Sequence, residues 1–377
     1  MIPFDAVKLS GLMDAAGIDL LLASTRHNIR YLTGGYVYHF NERSQRAGST
    51  QYQAFVGVPA NRVADSFYIG AGGETLGLNV LPLWIANRDL AGGQVASSAR
   101  VAAATARKML GPGSHVGIEM SFLPAEAFAS LQMSMPGATF VDATDLLHEL
   151  RAVKTVAEIG ILRSVSDRVS ESIRTGFQSG QDGVSTRDVA ETIERDMGSR
   201  GLSFLWAFTN AGPGYLRAPS PTKWETGRLL HLDCGGEEGD YLADICRMGS
   251  LGEPSAQGRA LVEECLAIQN DVRAQLRAGL TFGEVNQIAQ GIFAKSRHAG
   301  LGKIVAHGIG MVSHEQPMIN VASQSRRNLL AGHVISVETE FLHPECGHVK
   351  IEDTLAITST GADGLGDLGR ELFVVRA

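Results

Sequence analysis

Apolar residues in the first part of the chain alternate between helical and strand-like spacing. The segment FDAVKLSGLMDAAG has apolar residues at helical intervals, and IDLLLAS directly after it is continuous enough for a buried strand. HNIRYLTGG predicts a short helix that ends at a glycine pair, and YQAFVGVPA and DSFYIGAG predict further strands. This order predicts an α/β layer domain over residues 1–153. A charged stretch, LHELRAVKTVAEIGILRSVSDRVSESI, follows and predicts a long amphipathic helix that opens a second domain, residues 154–377.

The second domain contains an internal repeat. Residues 183–189 (GVSTRDV) match residues 279–285 (GLTFGEV), and in each copy a Ser or Thr precedes an acidic residue by three positions. That spacing predicts a helix N-cap with a capping box. Strand-like sequence with a pair of carboxylates follows each of these helices. We therefore predict two copies of a helix–helix–hairpin unit, related by a pseudo-twofold axis that brings four carboxylates together.

Each predicted hairpin carries two carboxylates at matched positions. In HLDCGGEEGDYLADICRM, a turn centred on residues 238–239 would place Asp233 directly opposite Asp244 on one face, with Cβ atoms about 5 Å apart. In VISVETEF and HVKIEDTLAI, the same construction places Glu338 opposite Glu352. Like charges in these positions repel each other, and a divalent cation removes the repulsion.

A histidine between the two hairpins completes the predicted centre. His307 begins the segment HGIGMVSHEQP, in which Gly308 and Gly310 allow backbone and substrate to approach closely. Two divalent ions, with Mn²⁺ as first choice and Fe²⁺, Co²⁺ and Zn²⁺ also suitable, are predicted to bind Asp233, Asp244, His307, Glu338 and Glu352. Glu338 is also the candidate to accept a proton from the attacking water. His314 is placed to hydrogen-bond a substrate carbonyl or a developing oxyanion.

The composition indicates an ordinary globular protein. The 377 residues suffice for about two domains, and the net charge of −7 includes no Lys/Arg run that would indicate a nucleic-acid partner. No apolar stretch approaches the roughly 20 residues of a membrane span, and the N-terminus has no signal-peptide pattern. Four cysteines are too few for a disulfide framework. We therefore expect a cytoplasmic protein without a membrane or nucleic-acid partner.

These motifs resemble the pita-bread metallopeptidase family, of the Xaa-Pro aminopeptidase, prolidase and creatinase type. LDCGGEEGDYLADICR, AHGIGMVSHEQP, VISVETE and VKIEDTLAIT match its catalytic domain, and NIRYLTG and LRAVKTVAEIGILR match a creatinase-type N-terminal domain and its junction. The resemblance covers nearly the whole chain. It implies an α/β creatinase-like domain, an α+β pita-bread catalytic domain and a homodimer. It also implies that the five residues above are the metal ligands and that His314 is the catalytic histidine.

The segments that would bind the substrate depart from the family pattern. The family's GPNAxxPH-like segment is GPGYLRAPS at residues 212–220, without a histidine, and the Arg two positions before the last ligand is Lys350. The Glu-Pro-Gly that includes the fourth ligand is Glu-Thr-Glu here. We therefore expect a non-standard substrate, with Tyr215, Arg217 and His39 as candidate binding residues. Arg217 would bind a substrate carboxylate in a bidentate manner.

Three functions remain open from the sequence. The first is a dinuclear metal-dependent hydrolase that cleaves a C–N amide or peptide bond of a small molecule or short peptide. The second is a metal-dependent lyase that removes a proton α to a carboxylate, as in family members acting on dimethylsulfoniopropionate. The third is a non-catalytic binding module. Product analysis distinguishes the first two, because only hydrolysis consumes water, and metal analysis tests the third.

Overall fold

The first of two compact units is an α/β layer domain. The computed structural model describes residues 2–44, 52–81 and 83–376, and the chain divides into Met1–Leu150 and Arg151–Ala377. The helices of the first unit are α1 (Ala6–Ala16), α2 (Arg26–Thr33), α3 (His39–Ser44), α4 (Thr75–Val80), α5 (Val95–Ala106), α6 (Ala125–Ser134) and α7 (Thr144–Arg151). Its strands are β1 (Leu20–Ala23), β2 (Phe55–Pro59), β3 (Phe67–Ile69), β4 (Asn87–Asp89), β5 (His115–Ile118) and β6 (Thr139–Asp142). They form a six-stranded sheet in the order β4-β3-β2-β1-β5-β6.

Strand β1 is continuously apolar because helices cover both faces of this sheet. Leu20 and Leu22 pack into a cluster with residues of α5 and α6, whereas Leu21 and Ala23 pack with residues of α1, α2 and α7. Alternating side chains of a strand point to opposite faces, so a strand covered on both sides has no polar face. The helices and strands predicted for this region are present in the structure.

The second unit contains two similar helix–helix–hairpin halves. Its helices are α8 (Val156–Gln178), α9 (Thr186–Ser199), α10 (Ala256–Arg273) and α11 (Phe282–Phe293). Its strands are β7 (Val184–Ser185), β8 (Ser203–Ala211), β9 (Lys223–Trp224), β10 (Leu229–Glu238), β11 (Tyr241–Leu251), β12 (Gly302–Gly308), β13 (Val334–His343), β14 (Gly347–Ile357), β15 (Ala362–Leu365) and β16 (Phe373–Val375). Among the described residues, no helix combines the length and the apolar character needed to cross a membrane.

The predicted repeat is visible in both capping and packing. Ser185 with Asp188, and Thr281 with Glu284, form capping boxes at the starts of α9 and α11. One apolar cluster joins α8 and α9 to β8, β10 and β11, and another joins α10 and α11 to β12, β13 and β14. An eight-stranded sheet lies beside both helix pairs, with the order β12-β13-β14-β11-β10-β8, β15 on β14 and β16 on β11.

The two carboxylate hairpins differ in register. Glu338 lies directly opposite Glu352, as predicted. Asp233 does not lie opposite Asp244: it pairs with Cys246, and Asp244 pairs with Gly235. The pairing register of this hairpin differs by two residues from the prediction. The reason is that Gly239 and Asp240, which have positive φ angles of 59° and 67°, form the turn. Glycine and aspartate tolerate this two-residue hairpin conformation far better than a glutamate would.

Candidate metal centre

Five adjacent strands place the five predicted ligands in one row across the sheet. His307 is on β12, Glu338 on β13, Glu352 on β14, Asp244 on β11 and Asp233 on β10, which is also the order of the strands. The apolar residues that alternate with Asp233 pack into the cluster with α8 and α9. Asp233 therefore projects from the face opposite those helices. All five side chains are largely or fully buried.

One part of the centre, which we call the open end, combines His307, Asp244 and one oxygen of each glutamate. His307 Nε2 lies 3.4 Å from Glu338 Oε1 and 3.8 Å from Glu352 Oε1. It is buried and has no hydrogen-bond partner within the part of the chain that the structure describes. Potential ligand atoms of Asp244, His307 and Glu352 all lie within 4.8 Å of one another. These donors are arranged around a common point.

The pKa values of Asp244 and His307 are both shifted at the open end. Burial raises the pKa of Asp244 well above its ordinary value, and the neighbouring carboxylates Glu352 and Asp233 raise it further. No hydrogen-bond donor or ion pair to the Asp244 carboxylate is found among residues 2–44, 52–81 and 83–376. Burial disfavours the charged form of His307, but Glu338 and Glu352 raise its pKa to about 10. A divalent cation fits this donor set of imidazole nitrogen and carboxylate oxygens.

The other part of the centre, the closed end, already contains cationic side chains and hydrogen-bond donors. Asp233 Oδ2 accepts hydrogen bonds from Arg217 at 2.8 Å and from Lys350 Nζ at 2.9 Å. Its other oxygen accepts a longer hydrogen bond, 3.4 Å, from the indole nitrogen of Trp206. Asp233 is therefore neutralised within the chain, unlike Asp244.

Lys350 lies at the centre of the closed end. Its Nζ is 2.7 Å from Glu338 Oε2 and 2.7 Å from Glu352 Oε2, in addition to Asp233, and its side chain is only 3% exposed. Burial opposes its charge, but the three carboxylates raise the pKa of Lys350 well above its usual value. The sequence marks Lys350 as a departure from the family pattern but does not by itself predict its contacts. The signal was available, because residues two apart on a strand share a face and Lys350 precedes Glu352 by two.

His314 lies beside the open end. Its ring stacks on that of His307 with centroids 3.9 Å apart, and its Nδ1 is 3.1 Å from Ser313 Oγ. Burial and the neighbouring His307 lower the pKa of His314, which favours a neutral imidazole near neutral pH. A neutral imidazole can donate a hydrogen bond from one nitrogen while the other accepts.

The loop that carries His314 is fixed by a buried ion pair. Glu315 is fully buried and contacts Arg151 at 2.8 Å and Lys154 at 3.0 Å. A Cβ atom on Gly308 would collide with the backbone of residues 315–317, and one on Gly310 would collide with Glu315 Oε1 at 2.3 Å. Both glycines therefore allow segments of this loop to pack closely against each other. The sequence instead predicted a close approach of backbone and substrate.

The three candidate substrate-binding residues occupy different surroundings. Arg217, one-third exposed, bonds Asp233 and lies over the Phe208 ring. Tyr215 is 54% exposed and packs against His348, with centroids 5.2 Å apart. His348 is buried, and its Nε2 is 2.9 Å from Glu340 Oε2. His39 lies in the first unit, where its exposed ring is 3.9 Å from Glu42.

Comparison with protein families identifies both units. The description "Metallopeptidase family M24" applies to a match over residues 160–359, just over half of the chain. The "Creatinase/Prolidase N-terminal domain" matches residues 7–153.

Individual relatives extend over most or all of the chain. It is 26% identical over 376 residues to the uncharacterized peptidase YqhT of Bacillus subtilis (strain 168), covering 98% of this chain and 99% of that protein. It is 28% identical over 264 residues to an Xaa-Pro dipeptidase of Pyrococcus horikoshii, covering 68% and 74%. The solved Xaa-Pro dipeptidase from Bacillus anthracis matches with a TM-score of 0.82 and 22% identity, covering 98% of this chain and 99% of that one. These matches confirm the predicted fold, a creatinase-type first domain and a pita-bread second domain.

Proposed function

Because the chain belongs to metallopeptidase family M24, a family of metal-dependent hydrolases, we propose that it cleaves a C–N amide or peptide bond in a short peptide or other small substrate. The observation that supports this proposal best is the open end. Buried His307 Nε2 faces the glutamate oxygens there, a ligand atom of Asp244 lies within 4.8 Å, and His314 is stacked alongside. Family membership implies divalent metal ions, and we propose Mn²⁺, with Fe²⁺, Co²⁺ and Zn²⁺ as alternatives.

The side chains around the open end have distinct proposed roles. Asp244, His307, Glu338 and Glu352 would hold the ion, which supplies Lewis acidity and makes a water molecule more acidic. Burial would raise the pKa of Glu338, but His307 and Lys350 lower it, so this carboxylate is ionised and able to accept a proton. Neutral His314 would donate a hydrogen bond to the carbonyl oxygen as negative charge develops on it.

The altered segment at residues 212–220 supports a substrate other than an ordinary Xaa-Pro dipeptide. Arg217 is hydrogen-bonded to Asp233 and is still one-third exposed to solvent, and Tyr215 is exposed next to His348. We propose that these two residues contact the substrate, with Arg217 directed at a carboxylate group. His39 in the first unit remains our third candidate for a substrate contact.

A product assay tests the proposed reaction. Purified protein supplied with Mn²⁺ would be incubated with Xaa-Pro dipeptides, other dipeptides and N-acyl amino acids, and products would be identified by mass spectrometry. We expect uptake of one water per cleavage, and at least about tenfold lower kcat/KM for Xaa-Pro dipeptides than for the best alternative. An unsaturated product would indicate a lyase instead. Efficient Xaa-Pro cleavage would contradict the role given to the altered segment.

The remaining proposals concern assembly and location. We propose a cytoplasmic homodimer that acts on a small molecule or short peptide, without a nucleic-acid partner. All four cysteines are buried and free of disulfides, which is compatible with a reducing compartment. Light scattering coupled to size-exclusion chromatography measures the assembly directly, and a monomeric mass would contradict the dimer.

A further inference from the structure

We propose that the Lys350 ammonium group takes the place of one of two divalent cations, so that this centre binds a single divalent ion, at its open end. The inference rests on the proposed metal-dependent function and concerns the number of ions. It departs from the two-ion centre predicted from the sequence. Its basis is the division of the carboxylate oxygens between two positions.

The glutamate oxygens are divided between Lys350 and His307. Glu338 Oε2 and Glu352 Oε2 each lie 2.7 Å from Lys350 Nζ. The Oε1 atoms of the same residues lie 3.4 Å and 3.8 Å from His307 Nε2. Each glutamate therefore bridges two positions, as bridging carboxylates do between paired metal ions. One position is filled by an ammonium nitrogen, and the other is surrounded by an imidazole nitrogen and carboxylate oxygens that could ligate a metal ion.

The hydrogen bonds of Asp233 also distinguish the position filled by Lys350 from the position near His307. A ligand of a second ion would need a free oxygen, but Oδ2 accepts from both Lys350 and Arg217, and Oδ1 accepts from Trp206. The chain thus occupies both oxygens of the carboxylate that would serve the second ion. Asp244, at the open end, has no such bonds within the described residues.

The balance of formal charge favours a single ion. Asp233, Asp244, Glu338 and Glu352 carry four negative charges when ionised, and Lys350 and Arg217 supply two positive charges in contact with Asp233. One divalent ion brings this set to neutrality. Two would leave an excess of positive charge inside a buried centre, which is costly unless further anions enter with them.

Metal binding to the intact protein tests the inference. Wild-type protein stripped of metal would be titrated with Mn²⁺. Bound metal would be measured by elemental mass spectrometry after gel filtration, and magnetic coupling between bound ions by electron paramagnetic resonance. We expect about one equivalent per chain and the hyperfine pattern of an isolated ion, rather than the exchange-coupled pattern of ions about 4 Å apart. In Lys350→Met, which keeps the length of the side chain and removes its charge, we expect about two equivalents and a coupled spectrum.

Two further variants make the comparison specific. Lys303→Met removes an exposed ammonium group that pairs with Glu340, and it should still bind one equivalent. Lys350→Gln is a second neutral variant in case Lys350→Met does not fold. Two tightly bound equivalents with a coupled spectrum in the wild-type protein would overturn the inference, and so would a single equivalent in the folded neutral variants. No bound metal in the wild-type protein would instead contradict the proposed function.

Discussion

The two ends of the centre both combine residues from the two halves of the second unit, but they differ in the partners of their aspartates. At the closed end, Asp233 contacts Arg217 and Lys350, so that the fold supplies its own cations. At the open end, Asp244 has no such partner among the described residues, and His307 Nε2 has no hydrogen bond there. A buried carboxylate without a partner is costly to a fold, and such groups are common at functional sites.

The hairpin registers accompany this difference. Glu338 and Glu352 are directly opposite and can share two cations between them, one at each end. Asp233 and Asp244 are offset along their hairpin, and Asp233 is the one that contacts Arg217 and Lys350. The comparison therefore predicts that equivalent substitutions will have unlike effects at the two ends.

The largest effect is expected at the open end, from Asp244→Asn. Loss of this ligand should remove bound metal and lower kcat/KM by about 10³-fold or more. Because burial and like charges raise the pKa of Asp244, the neutral amide should also stabilise the metal-free protein. Elemental analysis, steady-state kinetics and urea unfolding measure the three quantities. Wild-type turnover in this variant would contradict the assignment of Asp244.

Acid should destabilise the loop that carries His314. Burial would raise the pKa of Glu315, but Lys154 and Arg151 outweigh it and lower the pKa to about 2. The stabilisation is therefore complete above the ordinary glutamate pKa near 4.5 and is lost as the pH falls from there toward 2. Its size is about 3 kcal/mol.

The free energy of unfolding, measured against pH for wild type and Glu315→Gln, checks this sign. The two proteins should differ most at neutral pH and converge in acid. A difference that does not change with pH would show that Glu315 does not titrate with folding.

His314→Ala separates catalysis from metal binding at the open end. Loss of the hydrogen bond to the developing oxyanion should lower kcat by about 10²-fold. Metal content should remain at the wild-type level, because His314 is not among the proposed ligands of the ion. Kinetics and elemental analysis on the same preparation provide both values. Loss of the metal would make His314 a ligand, and an unchanged kcat would remove its catalytic role.

A change in stability of opposite sign is expected at the closed end. Asp233→Asn leaves Lys350 and Arg217 with fewer negative partners, and should destabilise the metal-free protein by about 2 kcal/mol. The effect is smaller than for a fully buried pair because Arg217 is one-third exposed and its charge is screened by solvent. Urea unfolding of the two variants, Asp233→Asn and Asp244→Asn, compares their free energies of unfolding directly. Equal shifts of the same sign in both variants would refute the distinction between the two ends.

Most of the fold could be predicted from the sequence because it depends on local patterns. Apolar periodicity and the capping boxes at Ser185 and Thr281 mark the helices, and both were found. The hairpin containing Asp233 was predicted in the wrong register because the turn conformation of Gly239 and Asp240 was not recognised. A register error of two residues preserves the face of every side chain, so the predicted grouping of the carboxylates did not depend on it.

The balance of charge within the centre could not be predicted in the same way. The contacts of Lys350 with three carboxylates depend on side chains from β10, β13 and β14 meeting in space. Arg217 was predicted to face a substrate, and only its position reveals the bond to Asp233. Such contacts join residues distant in sequence, and a periodic pattern along one strand does not specify them.

The most direct test of the account is the hydrolytic activity of protein stripped of metal with a chelator, measured before and after Mn²⁺ is restored. We predict that the stripped protein does not hydrolyse a substrate that the loaded protein cleaves, and that turnover returns in proportion to the metal bound at the open end. Full turnover in protein shown by elemental mass spectrometry to contain no metal would contradict the account.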